Sequence, residues 1–293
     1  MDGLSAAELD AKLREFLSED VGSGDVTTDS IVPPDTVVAA EIVVRSECVV
    51  SGLAVSRRVF ELLDPALFWE DRTRAGSKVS AGTTLAHFSG KARAILTAER
   101  VALNLLQRMC GIATATNRYV EAVAGTGCRI LDTRKTAPGL RAFDRAAVRD
   151  GGGSNHRFGL FDRVLVKDNH RVLAGGVTGA LDAVRRNAPE QMTVEVEVES
   201  EGDLREAVAG GARIVLIDNQ TSETVARWTG IAKESGRPPE IEASGDMTLG
   251  RVREYAVAGA DSISVGRITH SVEAADISLE ISYTAPGHGG GSR

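Results

Sequence analysis

The stretch TVEVEVESEGDLREAVAGGARIVLIDN, residues 193–219, decides the fold. One end alternates apolar and charged residues and the other is continuously apolar, so both ends read as β-strands. The segment between them has the apolar spacing of an amphipathic helix. Strand, helix and strand in so short a stretch are typical of a crossover unit that joins neighbouring strands of a parallel sheet.

The same alternation continues on both sides of this stretch. Helical patterns separate six predicted strands, at 129–134, 163–168, 193–198, 213–219, 240–244 and 262–266. The pattern predicts an α/β fold, either an α/β barrel or a doubly wound sheet. No GxGxxG motif follows a strand, which disfavours the dinucleotide-binding form of the sheet. With a seventh strand expected within residues 110–128, the prediction is an incomplete, seven-stranded α/β barrel.

The first third of the chain follows a different pattern. Short alternating strands occur within 39–53 and 76–88, and residues 91–110 read as a helix with one apolar face. This mixture is typical of an antiparallel sheet with helices on one side. We therefore expect an N-terminal α+β domain over residues 1–110, a barrel domain over residues 111–274, and a C-terminal segment, about 275–293, that returns to the N-terminal domain.

Composition excludes several classes of protein. Of the 293 residues, 42% are hydrophobic, 26% are charged and 4% are aromatic. So few aromatic residues argue against a base-stacking nucleic-acid surface. The three cysteines lack metal-ligand spacing, which indicates a reduced, cytoplasmic protein. No apolar run approaches the length of a membrane span, so we expect no membrane partner.

Positive charge is concentrated in one region. Residues 129–171 contain ten lysines and arginines but five aspartates and no glutamate, whereas the whole chain has a net charge of −7. A basic region in an acidic protein favours a small anionic ligand over a long polyanion, which the rest of the chain would repel.

Polar residues end every predicted strand. In a parallel α/β fold these ends meet at one face, which is where ligands bind. Along the strand that begins at Thr193, the valines and the glutamates fall on opposite faces, so the carboxylates of Glu195, Glu197 and Glu199 point inward. Buried carboxylates require cations. The residues at the strand ends are Arg134, Lys135, Lys167, Asp168, Glu197 or Glu199, Asp218, Asn219, Ser244, Gly245, Gly266 and Arg267.

These residue types suit a phosphorylated substrate. Ser244, Gly245 and Gly266 end adjacent late strands, the position at which barrel enzymes commonly bind phosphate. Glu197 and Asp218, on neighbouring strands, are suitable ligands for a Mg²⁺ ion that bridges phosphate oxygens. The residues alone therefore predict a phosphate-binding α/β enzyme without specifying its reaction.

One segment sharpens this prediction. TRKTAPGLRAFDRAAVRDGGGSNHRFGLFDRVLVKDNH, residues 133–170, closely resembles the quinolinate phosphoribosyltransferase family. Further segments resemble the family in the same order along the chain: EDVGSGDVTTDSIV (19–32), ERVALNLLQRMCGIAT (99–114), VEVEVES (194–200), LIDN (216–219), EASG (242–245) and ISVGRITHS (263–271).

The resemblance implies a reaction, a cofactor and an assembly. Quinolinate and phosphoribosyl pyrophosphate would give nicotinate mononucleotide, CO₂ and pyrophosphate with Mg²⁺, as a step of NAD biosynthesis. The family fold is an N-terminal α+β domain and an incomplete α/β barrel. Family members form a dimer whose subunits complete each other's sites, and the resemblance gives this chain no nucleic-acid partner.

The resemblance also implies site residues. Lys135, Lys167, Glu197 and Asp218 would be catalytic, with Glu197 and Asp218 as the metal ligands. Arg100 would reach the site of the neighbouring subunit. Substrate binding would fall to Arg100, Thr133, Arg134, Lys135, His156, Arg157, Lys167, Ser244, Gly245 and Gly266.

Several alternatives stay open at this stage. Asp246 and Arg267 depart from the small or neutral residues common in the family, which bears on phosphate affinity. A family member acting on another pyridine acid would share the motifs. From other classes, Lys135 or Lys167 suits a Schiff-base enzyme, and the basic region suits a nucleic-acid-binding module.

Overall fold

The computed structural model describes residues 3–282, which fall into two compact units. Among the described residues, one unit comprises 3–114 and 273–282, and the other is Ala115–Val272. Residues 283–293, the larger part of the C-terminal segment predicted to return to the N-terminal domain, lie outside the described residues. Among residues 3–282, none of the helices has the length and apolarity needed to cross a membrane.

The first unit contains an antiparallel sheet with strand order β12-β1-β5-β3, and a separate pair formed by β2 and β4. Its elements are α1 (Ala6–Val21), α2 (Val26–Ile31), β1 (Val37–Val44), β2 (Cys48–Val49), α3 (Leu53–Leu63), β3 (Phe68–Asp71), β4 (Lys78–Val79), β5 (Thr84–Lys91), the first part of α4 (Ala92–Ala122), and the last strand, β12 (Ile277–Ser282). Buried residues alternate along the first half of β1, as expected when one face of a sheet is covered. Phe88 packs between Phe60 and Trp69, with ring centroids 4.9 and 4.7 Å away.

Helix α4 is longer than the sequence pattern predicted. Its predicted apolar face is buried, but the helix continues twelve residues beyond position 110, to Ala122. Ile112, Ala113 and Tyr119 extend the buried face, so the helix is stabilised by packing over its whole length. The prediction of a strand within 110–128 is therefore wrong.

The second unit is built on a six-stranded sheet in which all neighbours are parallel. Its elements after α4 are β6 (Arg129–Leu131), α5 (Arg141–Asp150), β7 (Val164–Val166), α6 (Asp168–Ala174), α7 (Val177–Asn187), β8 (Val194–Val198), α8 (Glu201–Ala209), β9 (Ile214–Asp218), α9 (Ser222–Lys233), β10 (Glu240–Ser244), α10 (Val252–Val257), β11 (Ser262–Ser264) and α11 (Arg267–His270). The strand order is β6-β11-β10-β9-β8-β7. The six predicted strands and the mixed α/β class are confirmed.

A single residue extends the sheet beyond β6. Ser154 forms a parallel bridge with Leu131: its N–H donates to the carbonyl of Ile130 at 2.7 Å, and its carbonyl accepts from the N–H of Asp132 at 3.2 Å. Leu131 directs its own carbonyl to Val265, which follows β11. Ser154 therefore lies on the edge of β6 that faces away from β11.

Strand β8 is buried on both faces. Val196 and Val198 on one face are fully buried, and so is Glu195 on the other, while Glu197 is 7% exposed. Glu199 lies beyond the end of the strand, exposed and paired with Arg171. The prediction of an inward face therefore holds for two of the three glutamates, and Glu199 does not share it because the strand has already ended.

Candidate active site

A cavity of about 540 Å³ is lined by residues at the carboxyl ends of all six parallel strands. This is the face at which parallel α/β folds bind their ligands. Eleven of the twelve predicted site residues line it: Thr133, Arg134, Lys135, His156, Arg157, Lys167, Glu197, Asp218, Ser244, Gly245 and Gly266. The twelfth, Arg100, lies in α4 within the other compact unit, with an exposed side chain 3.9 Å from Glu99.

An ion pair crosses between the neighbouring strands β7 and β8. The Nζ of Lys167, just after β7, lies 3.0 Å from Oε2 of Glu197 on β8, because β7 and β8 are neighbours in the sheet. The main chain of Lys167 is fixed separately, since its N–H donates to Nδ1 of His170 at 2.9 Å. His170 thus caps the first turn of helix α6, and it does not line the cavity. Of the glutamates around β8, Glu197 is the one that faces the cavity.

The turn after β6 presents Thr133, Arg134 and Lys135 to the cavity. The hydroxyl of Thr133 accepts the N–H of Lys135 at 3.1 Å, and the carbonyl of Lys135 accepts the hydroxyl of Thr269 at 2.9 Å. The turn is thus held at both ends by hydroxyl groups, while the cationic side chains are free to bind anions.

A buried carboxylate positions the next cationic pair. Asp132, which is fully buried, accepts the N–H of His156 and the side-chain amide of Asn155, both at 2.7 Å. Burial raises the pKa of Asp132, and these hydrogen bonds oppose that effect. Arg145 donates to the carbonyl of His156 at 2.6 Å. The segment that follows the glycines is therefore anchored on both sides of its main chain.

His156 and Arg157 differ in how they face the cavity. Nδ1 of His156 accepts the N–H of Arg157 at 2.7 Å, and Nε2 lies 3.2 Å from the carboxylate of Glu195. Both ring nitrogens of His156 thus have protein partners, so the imidazole is held in place with Nε2 as the donor. Burial and the charge of Arg134 hold the pKa of Arg157 below its usual value. Arg157 lines the cavity as well, and its guanidinium donates to the carbonyl of Arg163 at 3.2 Å.

The glycines before this pair have a structural role. Gly151, Gly152 and Gly153 do not line the cavity. Gly152 has a φ of +86°, and a Cβ on Gly153 would lie 2.7 Å from Cγ2 of Thr116 and 2.9 Å from Cγ1 of Val148. The close approach that Gly152 and Gly153 permit is therefore to neighbouring helices and not to the cavity. They turn the chain tightly against α4 and α5.

A cluster of buried acids lies behind His156. Glu195 is fully buried and contacts both His156 and Arg163, each at 3.2 Å. Burial alone would raise the pKa of Glu195, but the hydrogen bond from His156 and the charge of Arg163 outweigh it and lower that pKa. Glu242 on β10 lies 3.6 Å from Nε2 of His156, and burial, with repulsion from Glu195, raises the pKa of Glu242 to about 7.

The ends of β9 and β10 pack closely at the cavity wall. Asp218 accepts the side-chain amide of Asn219 at 2.6 Å, and Asn219 has a φ of +53°. Gly245 has a φ of +129°, and a Cβ there would lie 2.7 Å from Oδ1 of Asn219. Glycine is thus required at position 245, which brings its main chain beside Ser244 and Asp218 at the cavity.

Both departures from the family pattern, Asp246 and Arg267, line the cavity. Tyr119 lies between them: burial raises its pKa, and a hydrogen bond with Arg267 opposes the effect. The hydroxyl of Tyr119 also donates to the carbonyl of Met247 at 3.2 Å. Arg267 thus adds a cation at this end of the cavity, beside Gly266, and Asp246 adds an anion.

Sequence reasoning missed some residues of the site. Glu242 lines the cavity, and Asp132 supports it from behind. The signal for Glu242 was present, because Glu240 and Glu242 alternate with apolar residues in EIEAS just as the glutamates do in VEVEV. Asp132 gave no such signal, since its partners lie more than twenty residues further along the chain.

Family models match almost the whole chain. Residues 25–110 match the quinolinate phosphoribosyl transferase N-terminal domain, and residues 112–280 match the C-terminal domain of the same family.

Individual relatives match over similar lengths. The chain is 40% identical over 277 residues to the probable nicotinate-nucleotide pyrophosphorylase [carboxylating] of Bacillus subtilis, covering 94% of each chain. It is 42% identical to the nicotinate-nucleotide pyrophosphorylase [carboxylating] of Mycobacterium leprae, covering 95% of this chain and 100% of that one. The crystal structure of NadC from Streptococcus pyogenes is similar with a TM-score of 0.92 at 36% identity, covering 97% of this chain and 100% of that one.

Sequence, fold and the residues gathered at the strand ends lead to the same assignment. With both domain models matched in order and relatives of about the same length at 40% identity, the chain belongs to the quinolinate phosphoribosyltransferase family.

Proposed function

We propose that this chain converts quinolinate and phosphoribosyl pyrophosphate to nicotinate mononucleotide, CO₂ and pyrophosphate, as a carboxylating nicotinate-nucleotide pyrophosphorylase in NAD biosynthesis. One observation carries the proposal. A single cavity gathers five cationic side chains and four carboxyl groups, which include Arg134, Lys135, Arg157, Lys167, Glu197 and Asp218. Two anionic substrates and a metal ion need this combination.

The two carboxylates of quinolinate match the arginines. Arg134 and Arg157 are close enough for the charge of one to lower the pKa of the other, so an anion between them relieves their repulsion. A guanidinium binds a carboxylate through two parallel hydrogen bonds, which also fixes the plane of the pyridine ring. His156 holds the main chain of Arg157 in place for this contact.

The phosphoribosyl donor occupies the rest of the cavity in this proposal. Lys135 and Lys167 contact its phosphates, and the hydroxyl of Thr133 donates to one of its oxygens. Ser244 and the main-chain N–H groups at Gly245 and Gly266 hold the ribose 5′-phosphate. Arg267, beside Gly266, strengthens that contact.

Glu197 and Asp218 would hold the Mg²⁺ ion. The donor set fits, because Mg²⁺ in phosphate sites binds one or two carboxylates and completes its shell with phosphate oxygens and water. When bound, the ion supplies charge neutralisation for the departing pyrophosphate. Lys167 already pairs with Glu197, so its ammonium group lies beside the same phosphates.

Catalysis then depends on position and charge. The ring nitrogen of quinolinate must lie in line with the bond from ribose to pyrophosphate, and the two arginines set that orientation. After ribosylation the ring nitrogen carries a positive charge, which stabilises the electron pair left on the neighbouring carbon when CO₂ departs. No covalent bond to the protein is needed.

Labelled substrate tests the proposal. Quinolinate labelled in the carboxylate next to the ring nitrogen, incubated with phosphoribosyl pyrophosphate and Mg²⁺, should release labelled CO₂ and nicotinate mononucleotide in equal amounts. Chelation of the metal should abolish both, and added Mg²⁺ should restore them. Nicotinate and nicotinamide are assayed in parallel, and turnover of nicotinate without CO₂ release would assign the chain to a different pyridine acid.

Two substitutions test the cationic residues. Lys135→Ala and Arg157→Ala should each lower kcat/KM at least about 100-fold, because each removes a charge that stabilises developing negative charge. Lys233→Ala, at the exposed end of α9, serves as the control and should retain full activity. Circular dichroism and thermal melting establish that each variant is folded. Unimpaired turnover in either site variant would remove that residue from the site.

Three further features belong to the proposal: the barrel, the assembly and the role of Arg100. The parallel sheet forms the wall of an incomplete α/β barrel, with the bridge at Ser154 beside β6. The enzyme is a cytoplasmic homodimer or higher homo-oligomer, and it has no nucleic-acid partner. Arg100, with its exposed side chain, enters the site of the neighbouring subunit and binds quinolinate there.

A further inference from the structure

Glu242 stands apart from the other buried acids of the cavity. Glu195 has His156 and Arg163 as partners, and Glu197 has Lys167. The carboxyl group of Glu242 is almost fully buried and has weaker contacts: Nε2 of His156 lies 3.6 Å from Oε1, and the hydroxyl of Ser264 affects the pKa of Glu242 less than burial and repulsion from Glu195 do. A buried carboxylate with so little compensation for its lost hydration has a strong tendency to hold a proton.

The surroundings of Glu242 favour its acid form. The charged and titratable groups that face it are Glu195 from β8, His156 from the segment after α5, and Arg163, which precedes β7. Burial and repulsion from Glu195 outweigh the attraction of His156 and raise the pKa of Glu242 to about 7. Glu242 also lines the cavity, together with His156 and Arg157. A buried carboxylic acid with a pKa of about 7 therefore forms part of the wall of the cavity that we assign to the substrates.

We propose that Glu242 is a further catalytic residue, which delivers the proton that replaces the departing carboxylate on the pyridine ring. The inference rests on the proposed function. In the step, the bond from the ring carbon to the carboxylate breaks, and CO₂ leaves without the electron pair. That pair takes the proton from the carboxyl oxygen of Glu242 and forms the new C–H bond. Glu242 is left as a carboxylate and regains a proton from water when the product leaves.

The proton matters because CO₂ can recombine with an unprotonated ring carbon. A donor within reach traps the carbanion before it recombines, whereas bulk water has to enter a site filled by substrate. Positioned proton donors contribute about 10² to 10⁴ in rate. A donor with a pKa near the working pH does this best, because it is both protonated and able to release its proton.

The isosteric variant Glu242→Gln in the full-length enzyme tests the proposal. In single turnovers with labelled quinolinate, its rate of nicotinate mononucleotide formation should fall at least about 100-fold. Its affinity for quinolinate, measured by calorimetry, should stay within about threefold of wild type, because Glu242 is assigned to the chemical step. In wild type the rate should fall as pH rises through about 7, where Glu242 loses its proton, and the residual rate of the variant should lack this limb. Glu240→Gln, on the same strand outside the cavity, serves as the matched control and should behave as wild type.

The outcomes separate this inference from the proposed function. Wild-type protein that releases no CO₂ contradicts the proposed function and, with it, the role of Glu242. An active wild type beside a Glu242→Gln variant of equal rate, or one that keeps the wild-type pH limb, overturns the role of Glu242 alone. A Glu242→Gln variant whose affinity for quinolinate falls as much as its single-turnover rate also overturns the role of Glu242. Should the variant not fold, the wild-type profile decides, and a rate that is flat or rising through about pH 7 overturns the inference.

Discussion

At the scale of single residues, the cavity combines closely paired charges with one weakly compensated acid. Lys167 pairs with Glu197, and Arg163 pairs with Glu195. No cation lies as close to Glu242 among the described residues, and its raised pKa means that the folded protein binds this proton more tightly than the unfolded chain does. The carboxyl group therefore reduces stability whenever the solution is alkaline enough to remove the proton.

The Glu242→Gln substitution should consequently stabilise the protein at high pH. Between pH 4.5 and about 7, the folded state keeps a proton that the unfolded state has released, so the free energy of unfolding falls as pH rises through this window. Glutamine does not titrate, and at about pH 8 the variant should be more stable than wild type by on the order of 3 kcal/mol. Urea unfolding across this pH range measures the difference. The gain should shrink toward zero below about pH 4, and a gain independent of pH would contradict the explanation.

At the scale of elements, the site depends on the tight packing of the segment between α5 and β7. Its glycines bring the chain against α4 and α5, and Asp132 then fixes the two residues that follow Ser154. His156 and Arg157 are thus positioned by packing that lies outside the cavity.

Replacement of Gly153 by alanine should disturb this packing. The new Cβ would lie 2.7 Å from Thr116 and 2.9 Å from Val148, so we expect a loss of about 1–3 kcal/mol in the free energy of unfolding. Because the new methyl group would displace the segment that carries Arg157, KM for quinolinate should rise as well. Gly230→Ala in α9, where nothing lies within 4 Å of the new Cβ, is the control and should cause no loss. Equal unfolding curves for Gly153→Ala and wild type would show that the packing around Gly153 can accommodate a methyl group without loss of stability.

Part of the fold and of the candidate site could be predicted from the sequence, and part could not. The strands and their polar ends were predictable, because period-two alternation and the meeting of parallel strand ends are local rules. The end of α4 was misplaced, because its last turns are stabilised by burial rather than by a strong helix signal. The roles of Asp132 and Glu242 depend on partners distant in the chain, and only the folded sheet brings those partners together.

At the scale of the whole molecule, the proposed function distributes one active site over two subunits. Arg100 and Lys135 of the same chain would then serve different sites. We expect Arg100→Ala and Lys135→Ala, each inactive alone, to regain about one quarter of the wild-type activity when the two are co-expressed, since half of the dimers are mixed and each mixed dimer has one intact site.

A second pair of variants provides the control. Lys135→Ala and Arg157→Ala both belong to the cavity of their own chain, so mixed dimers have no intact site and should stay inactive. No recovery in the pair with Arg100 would place Arg100 outside the neighbouring site, whereas recovery in the control pair would show that Lys135 and Arg157 do not serve the same site.

The bridge at Ser154 connects the edge of the sheet to the proposed substrate site. The outer edge of β6 is occupied by the same segment that, two residues later, carries His156 and Arg157. If this segment detaches, the residues proposed to bind quinolinate leave the cavity and an unpaired strand edge is exposed in the same event. In the proposed function, a bound dicarboxylate should therefore hold the segment on β6, slow hydrogen exchange at the main-chain amides of Ser154 and Asp132, and keep this edge from pairing with the edges of other chains.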